Sequence, residues 1–320
     1  MSTDAIALVT GGTGWLGSRL VAMLTAAGRE VRCFEGDVRD RAALDQFTAN
    51  AAGASVFHCA GVIHPRRAAE FDEVNATGTS NVLDAAINAG ARRFIHVSSN
   101  SPFGANPSPS DVFDESSPYN PYMGYGRSKM KGEQAVIAAG ERGRIETVVI
   151  RAPWFYGPGQ PPRQTQFFTM IKKGAFPIVG GGENRRSMAY VDNLAQGLLL
   201  AERVDAARGH AFWIADERPY SMNEIVDTVE RVLERDFKIA VSHKRTRVPS
   251  IVSDTARVAD RAMQSIGLYD QRVHVLSEMN LTIACSIAKA KQLLGYQPAV
   301  ALEEGMRRSI EWVLAQGLAI

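Results

Sequence analysis

The sequence predicts an α/β fold, in which a doubly wound parallel sheet is joined to a smaller, mostly helical domain. Short apolar runs alternate with helical segments through the first half of the chain. These runs are apolar on both faces, as is typical of strands that helices cover on both sides. A glycine-rich turn also links the first run to the first helix. The predicted strands, in chain order, are AIALVT, VRCF, ASVFHCAG, RRFIHVSS, TVVIR and AFWIAD.

Composition and charge narrow the classes of function. Of the 320 residues, 45% are hydrophobic and 22% are charged, which is ordinary globular composition. The 36 basic and 34 acidic residues give a net charge of +2, so no extended positive field is available to recruit nucleic acid or an anionic membrane. Cys33, Cys59 and Cys285 lack metal-ligand spacing, and we expect free thiols and no metal site.

The expected location is the cytoplasm. The first residues run directly into an apolar strand without the pattern of an export signal, and no apolar run approaches the 18 residues of a membrane span. Free thiols fit the same reducing compartment.

The first strand is followed by glycines at the spacing GxxGxxG, namely Gly11, Gly14 and Gly17. Glycines at this spacing let a phosphate approach the backbone and place it at the amides of a helix N-terminus. A tight turn without a ligand would not need all three glycines. The strand, turn and helix therefore predict a dinucleotide site of the Rossmann type, to which we assign Gly11, Thr13, Gly14, Trp15, Leu16 and Gly17.

Glu35 is the candidate for cofactor choice. It stands 18 residues after Gly17, close to the roughly 20 expected for the acid that hydrogen-bonds the adenosine ribose in NAD enzymes. A carboxylate there would repel the additional phosphate of NADP. We therefore expect NAD, with NADP as the alternative if Glu35 does not face the ribose.

Tyr125 and Lys129 are the candidate catalytic pair. They lie four residues apart in the helical pattern YGRSKMKGEQAVIAA, so their side chains share one helix face. An ammonium group beside Tyr125 would favour the tyrosinate and improve the residue as proton donor and acceptor. The serines of RRFIHVSSN stand at the carboxyl end of a strand, where open α/β sheets bind ligands.

With these motifs the chain resembles the short-chain dehydrogenase/reductase family, specifically its extended branch of epimerases, dehydratases and hydroxysteroid dehydrogenases. The resemblance covers nearly the whole chain. Its segments, in the family's order, are TGGTGWLG (10–17), FHCAG (57–61), VNATGTSN (74–81), VSSNSPFG (97–104), YGRSK (125–129), RAPWFYGPG (151–159), MAYVDN (188–193) and KAKQLLGYQP (289–298).

The resemblance implies catalytic roles. Tyr125 would be the acid/base, Lys129 would lower its pKa and hold the nicotinamide ribose, and Ser99 would hydrogen-bond the reacting oxygen. Ser99 stands five residues before Gly104, as the family's catalytic hydroxyl does before the matching glycine. Ser98 is the alternative if the alignment slips by one residue.

The resemblance also implies cofactor contacts. Asp37 matches the acid that touches the adenine, and Asn75 with residues 58–61 would line the cofactor side. A structural role remains the alternative for these side chains. The other positions assigned to the cofactor are Val38, Cys59, Ala60, Gly61 and Pro153.

Residues 28–40, GREVRCFEGDVRD, are shorter than the family's pattern. The family usually has a further loop and strand between the ribose acid and the Gly-Asp pair matched by residues 36 and 37, whereas here Glu35 adjoins that pair. Either VRCF is the second strand and the third, the outer edge of the order 3-2-1-4-5-6, is missing, or VRCFEGD is the third strand and the second was lost or fused into it. Loss of an edge strand leaves the rest of the sheet paired, which favours the first alternative.

Residues 100–102 bear on the reaction. The family's dehydratases carry an Asp-Glu pair or a lone Glu just after the catalytic hydroxyl, where this chain has Asn-Ser-Pro. Dehydration is therefore disfavoured. Dehydrogenation, ketone reduction and epimerisation remain, all of which exchange hydride with the cofactor.

The substrate side gives mixed indications. Arg186, six residues before Asp192, matches the arginine that binds diphosphate in nucleotide-sugar enzymes, with a surface arginine as the alternative. Trp154 stands where sugar-processing relatives carry asparagine and, with nearby aromatic residues, indicates an apolar pocket or simply core. The predicted substrate contacts are Ser99, Ser101, Phe103, Trp154 and Arg186.

The predicted dinucleotide-binding domain comprises residues 1–152 and 187–216, and the substrate-binding domain comprises 153–186 and 217–320. Three functions stay open: an NAD-dependent dehydrogenase or reductase acting on a partly apolar secondary alcohol or ketone, which we favour, a nucleotide-sugar 4-epimerase, and a non-catalytic cofactor-binding protein. The expected partners are a small-molecule substrate and a second copy of the chain in a homodimer.

Overall fold

The computed structural model of the chain describes residues 6–320, which form twelve strands and ten α-helices. The strands are β1 (Ala7–Thr10), β2 (Val31–Phe34), β3 (Ser55–His58), β4 (Arg93–Ser99), β5 (Glu146–Ala152), β6 (Trp154–Tyr156), β7 (Pro177–Val179), β8 (Arg185–Arg186), β9 (Met188–Tyr190), β10 (His210–Trp213), β11 (Tyr220–Ser221) and β12 (Thr246–Val248). The helices are α1 (Trp15–Ala26), α2 (Arg41–Thr48), α3 (Thr79–Asn88), α4 (Met123–Glu141), α5 (Pro162–Lys172), α6 (Val191–Arg203), α7 (Met222–Phe237), α8 (Ser250–Ser265), α9 (Gln271–Glu278) and α10 (Leu302–Ala315).

The centre of the molecule is a six-stranded parallel sheet in the order β10-β5-β4-β3-β1-β2. Each of the six predicted strands is present, which confirms the α/β class with a parallel sheet. Ala5, the first residue of the predicted run AIALVT, lies outside the described residues.

Helices cover the sheet on both faces. Successive residues of one strand enter different cores: Val9 and Ile95 pack with α1 and α6, whereas Leu8 and Phe94 pack with α2, α3 and α4. Side chains alternate across a strand, so a strand that is apolar at every position needs a helical layer on each side. The doubly wound arrangement predicted from the apolar runs follows from this burial.

The edge at β2 explains the short stretch 28–40. β2 pairs with β1 in parallel and is the outermost strand, and no strand among residues 6–320 lies beyond it. The chain then passes through a short turn directly into α2, whose first turn is capped by Asp40. This is the first of the two sequence alternatives, in which VRCF lies beside the first strand and the outer strand is missing.

A second hydrophobic core lies beyond the sheet. It joins α5, α7 and α10 with the short strands β6, β7 and β9. The pair α8 and α9 instead contacts the start of α4 through polar groups, for example the Gly124 amide, which donates to the Gln264 side chain at 2.9 Å. The exact domain division at residues 152, 187 and 216 stays a prediction, as does the homodimer.

One observation bears on membranes. Among residues 6–320, no helix combines the length and the apolar character that crossing a bilayer requires.

Replacing Asp40 by alanine tests the turn that follows the edge strand. The Asp40 carboxylate accepts a hydrogen bond from the Ala43 amide at 3.1 Å. Asp40→Ala should lower the free energy of unfolding by about 1 kcal/mol, measured by urea denaturation, because a helix N-cap is lost. Asp45→Ala, at an exposed position of the same helix, should change it by less than about 0.5 kcal/mol. Equal effects of the two substitutions would contradict the assigned cap.

Candidate active site

The glycine turn has a geometry that side chains would destroy. Gly11 has a φ of +70°, and a Cβ there would lie 2.7 Å from the Ala60 nitrogen. A Cβ on Gly17 would lie 2.0 Å from the Gly11 carbonyl oxygen. Gly14 begins α1 without a side-chain cap, and the first turn of α1 carries no acidic residue. The turn therefore leaves backbone amides open to an anion, which fits the pyrophosphate of a dinucleotide.

The segment after β6 covers one side of this turn. The Trp15 indole donates a hydrogen bond to the Pro158 carbonyl at 2.8 Å, and its ring lies 4.7 Å from the ring of Phe155. Leu16 is buried in the core, whereas Thr13 and Gly14 stay exposed. Thr13 and Gly14 are thus exposed to solvent, whereas Trp15 and Leu16 are held by contacts with the rest of the protein.

The predicted adenosine side lies at the end of β2. Glu35 is exposed just after this strand, whose Cys33 sulfur would lie 2.9 Å from a Cβ on Gly12. The Asp37 carboxylate accepts hydrogen bonds from the Arg39 side chain, and this neighbour lowers its pKa. Val38 is buried in the core. Glu35 therefore follows by two residues a cysteine that lies against the glycine turn, and Asp37 is bound to an exposed arginine.

Ser99, Tyr125 and Lys129 come together at the carboxyl end of β4. Tyr125 lies close enough to Ser99 for the serine hydroxyl to lower the pKa of the phenol. The Lys129 Nζ donates to the Val97 carbonyl at 2.7 Å, which ties α4 to β4. The Ser98 hydroxyl instead donates to the buried Glu133 carboxylate at 2.6 Å. The structure thus brings Ser99, and not Ser98, to the tyrosine.

Burial is the largest influence on the pKa values of Tyr125 and Lys129. Burial raises the pKa of Tyr125 to about 12, and the nearby Ser99 hydroxyl opposes part of that rise. Burial also lowers the pKa of Lys129 to about 8. Desolvation of the phenol therefore dominates the Tyr125 pKa. Since the pKa of Lys129 is about 8, this lysine has lost its charge at the pH where Tyr125 titrates, and the lowering of the Tyr125 pKa by its ammonium stays a prediction.

Asn75 and His58 form the inner wall beside Lys129. The Asn75 side chain accepts from the Val62 amide at 2.8 Å and donates to the Val62 carbonyl at 2.9 Å. A Cβ on Gly61 would lie 3.1 Å from the Asn75 Oδ1 and 4.0 Å from the Lys129 Nζ. The buried His58 binds the hydroxyls of two threonines. These side chains hold the backbone of residues 58–62 against the lysine.

The residues predicted to contact the substrate do not form one cluster in the structure. Ser101 lies beside Ser99, with 3.4 Å between their hydroxyl oxygens. The Arg186 guanidinium is half-buried, donates to the Glu278 carbonyl and has a pKa that burial lowers. The Trp154 ring packs against the second core, and Phe103 is a core ring, 1% exposed. Pro153, assigned to the cofactor, is buried just after β5.

Two further charged groups face the tyrosine. The negative charge of Glu278, at the end of α9, raises the pKa of Tyr125, and the positive charge of Arg163, in the first turn of α5, lowers it. Arg163 is exposed, yet burial lowers its pKa, as expected for a group in a cleft. No sequence motif marks either residue, because only the fold brings the start of α5 and the end of α9 near Tyr125.

Known proteins are similar to this chain in sequence and fold. The sequence model of the family described as NAD dependent epimerase/dehydratase matches residues 7–215. The uncharacterized protein y4nL of Sinorhizobium fredii is 47% identical over 98% of this chain and 96% of its own. The 3-beta-hydroxysteroid dehydrogenase of Mycolicibacterium neoaurum is 28% identical over 95% of this chain and 90% of its own. The fold is similar to that of the UDP-glucose 4-epimerase of Thermus thermophilus in complex with NAD, with a TM-score of 0.74 and 20% identity over 96% of this chain and 98% of the other.

Gly17→Ala tests the cradle for the dinucleotide. The added methyl group would collide with the Gly11 carbonyl oxygen and displace the turn, so NAD affinity measured by calorimetry should fall by at least about tenfold, or 1.4 kcal/mol. Gly181→Ala is the control, since its Cβ would meet nothing closer than 3.8 Å. Unchanged NAD affinity in a folded Gly17→Ala protein would contradict the site.

Lys129→Met tests the buried charge through its pH dependence. Since the pKa of Lys129 is lowered from 10.5 to about 8 in the folded protein, the unfolded state binds more protons between these values, and stability rises with pH through that window. Between pH 7.5 and 9.5 the wild-type protein should gain about 1–2 kcal/mol relative to Lys129→Met, measured by chemical denaturation at each pH. Parallel curves for the two proteins would show that the lysine is not desolvated.

Proposed function

The chain belongs to the NAD dependent epimerase/dehydratase family, and we propose that it exchanges hydride with NAD at a secondary alcohol or ketone of a small, partly apolar substrate. The observation that carries the proposal is the meeting of three side chains at the carboxyl end of β4: the Ser99 hydroxyl acts on Tyr125, and Lys129, one turn further along α4, donates to the Val97 carbonyl. Ligands of open α/β sheets bind at this edge.

The residues present fit the cofactor. The crowded backbone at Gly11 and Gly17 and the uncapped start of α1 suit a pyrophosphate group. Glu35 would hold the adenosine ribose, and Lys129 would hold the nicotinamide ribose. When bound, NAD supplies the acceptor or donor of the hydride.

The side chains have separate tasks in this proposal. The Ser99 hydroxyl donates a hydrogen bond to the reacting oxygen and orients it against the Tyr125 hydroxyl. In the reductive direction, Tyr125 gives its proton to that oxygen as the alcohol forms; in the oxidative direction it takes the proton back. A pKa of about 12 keeps Tyr125 protonated at neutral pH, which suits the proton donor of a ketone reduction. Oxidation requires the Lys129 ammonium to favour the tyrosinate.

The lack of a neighbouring carboxylate argues against dehydration. Elimination of water requires a further acid and base, and residues 100–102 supply Asn, Ser and Pro. Ser101 adds a hydroxyl next to Ser99 in place of that carboxylate. The partly apolar substrate is supported by Trp154 and by the similarity to a 3-beta-hydroxysteroid dehydrogenase.

A nucleotide-sugar 4-epimerase is the second candidate. Arg186 supports it, because this half-buried guanidinium lies near Glu278 and Tyr122, where burial lowers its pKa. A guanidinium suits bidentate contact with a diphosphate. The similarity to a UDP-glucose 4-epimerase concerns the fold.

Tyr125→Phe tests the first candidate. NADH consumption is followed by fluorescence with a panel of ketones that includes 3-ketosteroids, and Tyr125→Phe should reduce turnover of any ketone accepted by the wild type by at least about 100-fold. Tyr296→Phe is the control, since it removes a buried tyrosine hydroxyl bonded to the Ala215 carbonyl and should leave turnover within about threefold. Equal turnover by Tyr125→Phe and the wild type would refute the role of Tyr125.

Binding of uridine diphosphate tests the second candidate. An epimerase should bind it saturably in calorimetry, and Arg186→Gln should weaken binding by about tenfold or more, since a charge-assisted contact is lost. Arg185→Gln is the matched control, because this neighbour donates to the carbonyls of Pro109 and Asp111. Absence of any binding to the wild type would remove the epimerase candidate.

A further inference from the structure

A buried ion pair lies behind the serine end of β4. Glu133, on α4 one turn after Lys129, is 0% exposed, and Arg151, near the end of β5, is 4% exposed. The Arg151 guanidinium donates two hydrogen bonds to the Glu133 Oε1, at 3.0 and 2.7 Å. A buried carboxylate is costly unless it is paired and hydrogen-bonded. The presence of this buried carboxylate beside the catalytic cluster therefore indicates a role beyond packing.

The Glu133 carboxylate joins several elements at one point. Its Oε2 accepts from the Ser98 hydroxyl on β4 at 2.6 Å, and its Oε1 also accepts from the Tyr119 hydroxyl at 2.9 Å. Arg151 adds β5 to the same carboxylate. Ser98 is the chain neighbour of Ser99, so the group bonded to Glu133 on β4 is one residue from the proposed catalytic hydroxyl.

We propose that Glu133 is a positioning residue, which fixes α4 to the carboxyl ends of β4 and β5 and keeps Lys129 in its ammonium form. Its bonds to Ser98 and Arg151 hold the two strand ends, and with them the spacing between Ser99 and the tyrosine and lysine of α4. The catalytic consequence rests on the function proposed above, but the charge effect on Lys129 is measurable without any substrate.

The other groups that face Lys129 are neutral near pH 7. Burial lowers the pKa of His58 to about 3 and holds that of His96 well below its usual value. Burial raises the pKa of the Cys59 thiol to about 12. Among the residues that the structure describes, Glu133 is therefore the one anion whose charge supports the ammonium against burial.

The direct test follows the titration of Lys129 by the ¹³Cε chemical shift of lysine-labelled, full-length protein, with Lys129→Arg to identify the signal. In Glu133→Gln the midpoint should move to lower pH by about one pH unit, because the supporting negative charge is removed. Arg151→Met is the matched control. It breaks the same ion pair and leaves the carboxylate, so its midpoint should stay or move to higher pH.

Comparison of the two variants distinguishes the proposed effect of the Glu133 charge on Lys129 from a purely structural role of the ion pair. Equal midpoints in the wild type and Glu133→Gln, or the same downward shift in both variants, would overturn the proposal. If Glu133→Gln does not fold, the paired Glu133→Leu/Arg151→Met protein replaces it, since this protein removes both members of the ion pair, and its midpoint should also move to lower pH, by less than in Glu133→Gln. A shift in Lys129 without any hydride exchange would support the proposal while refuting the proposed function.

Discussion

The hydrogen bond from the Lys129 ammonium to the Val97 carbonyl organises the site, because it fixes α4 against β4. Tyr125, one turn earlier on α4, then meets Ser99 at the end of that strand. The same bond requires a buried cation, whose pKa burial lowers to about 8. Placing a charge there costs folding stability, and proteins accept such costs at functional sites. Glu133, wholly buried on the next turn of α4, offsets part of that cost.

The parallel sheet explains why the cofactor turn and the catalytic cluster lie at one edge. The carboxyl ends of β1, β3 and β4 are neighbours, so the glycine turn, residues 59–61 and Ser99 follow three adjacent strands. The missing strand lies at the outer side of β2, away from β4 and β5. Its loss therefore leaves the catalytic cluster intact and concerns only the adenosine end of the cofactor site, near Glu35.

Local patterns predict the sheet, the glycine turn and the Tyr125–Lys129 pair, because each depends on spacing within one element. They do not predict what depends on contacts between distant segments. Desolvation raises the Tyr125 pKa, and the buried pair of Arg151 and Glu133 joins β5 to α4 through residues 18 positions apart. Arg163 reaches the site only because α5 packs there. Burial of these charged groups is a property of the assembled fold and leaves no motif.

The measurement that tests this account most directly is a crystal structure of the protein with NAD. The account predicts the pyrophosphate on the glycine turn, the nicotinamide beside the Tyr125 hydroxyl, the nicotinamide ribose hydrogen-bonded to Lys129 and the adenosine ribose at Glu35. A nicotinamide turned away from Tyr125, with no contact between Lys129 and the ribose, would contradict it.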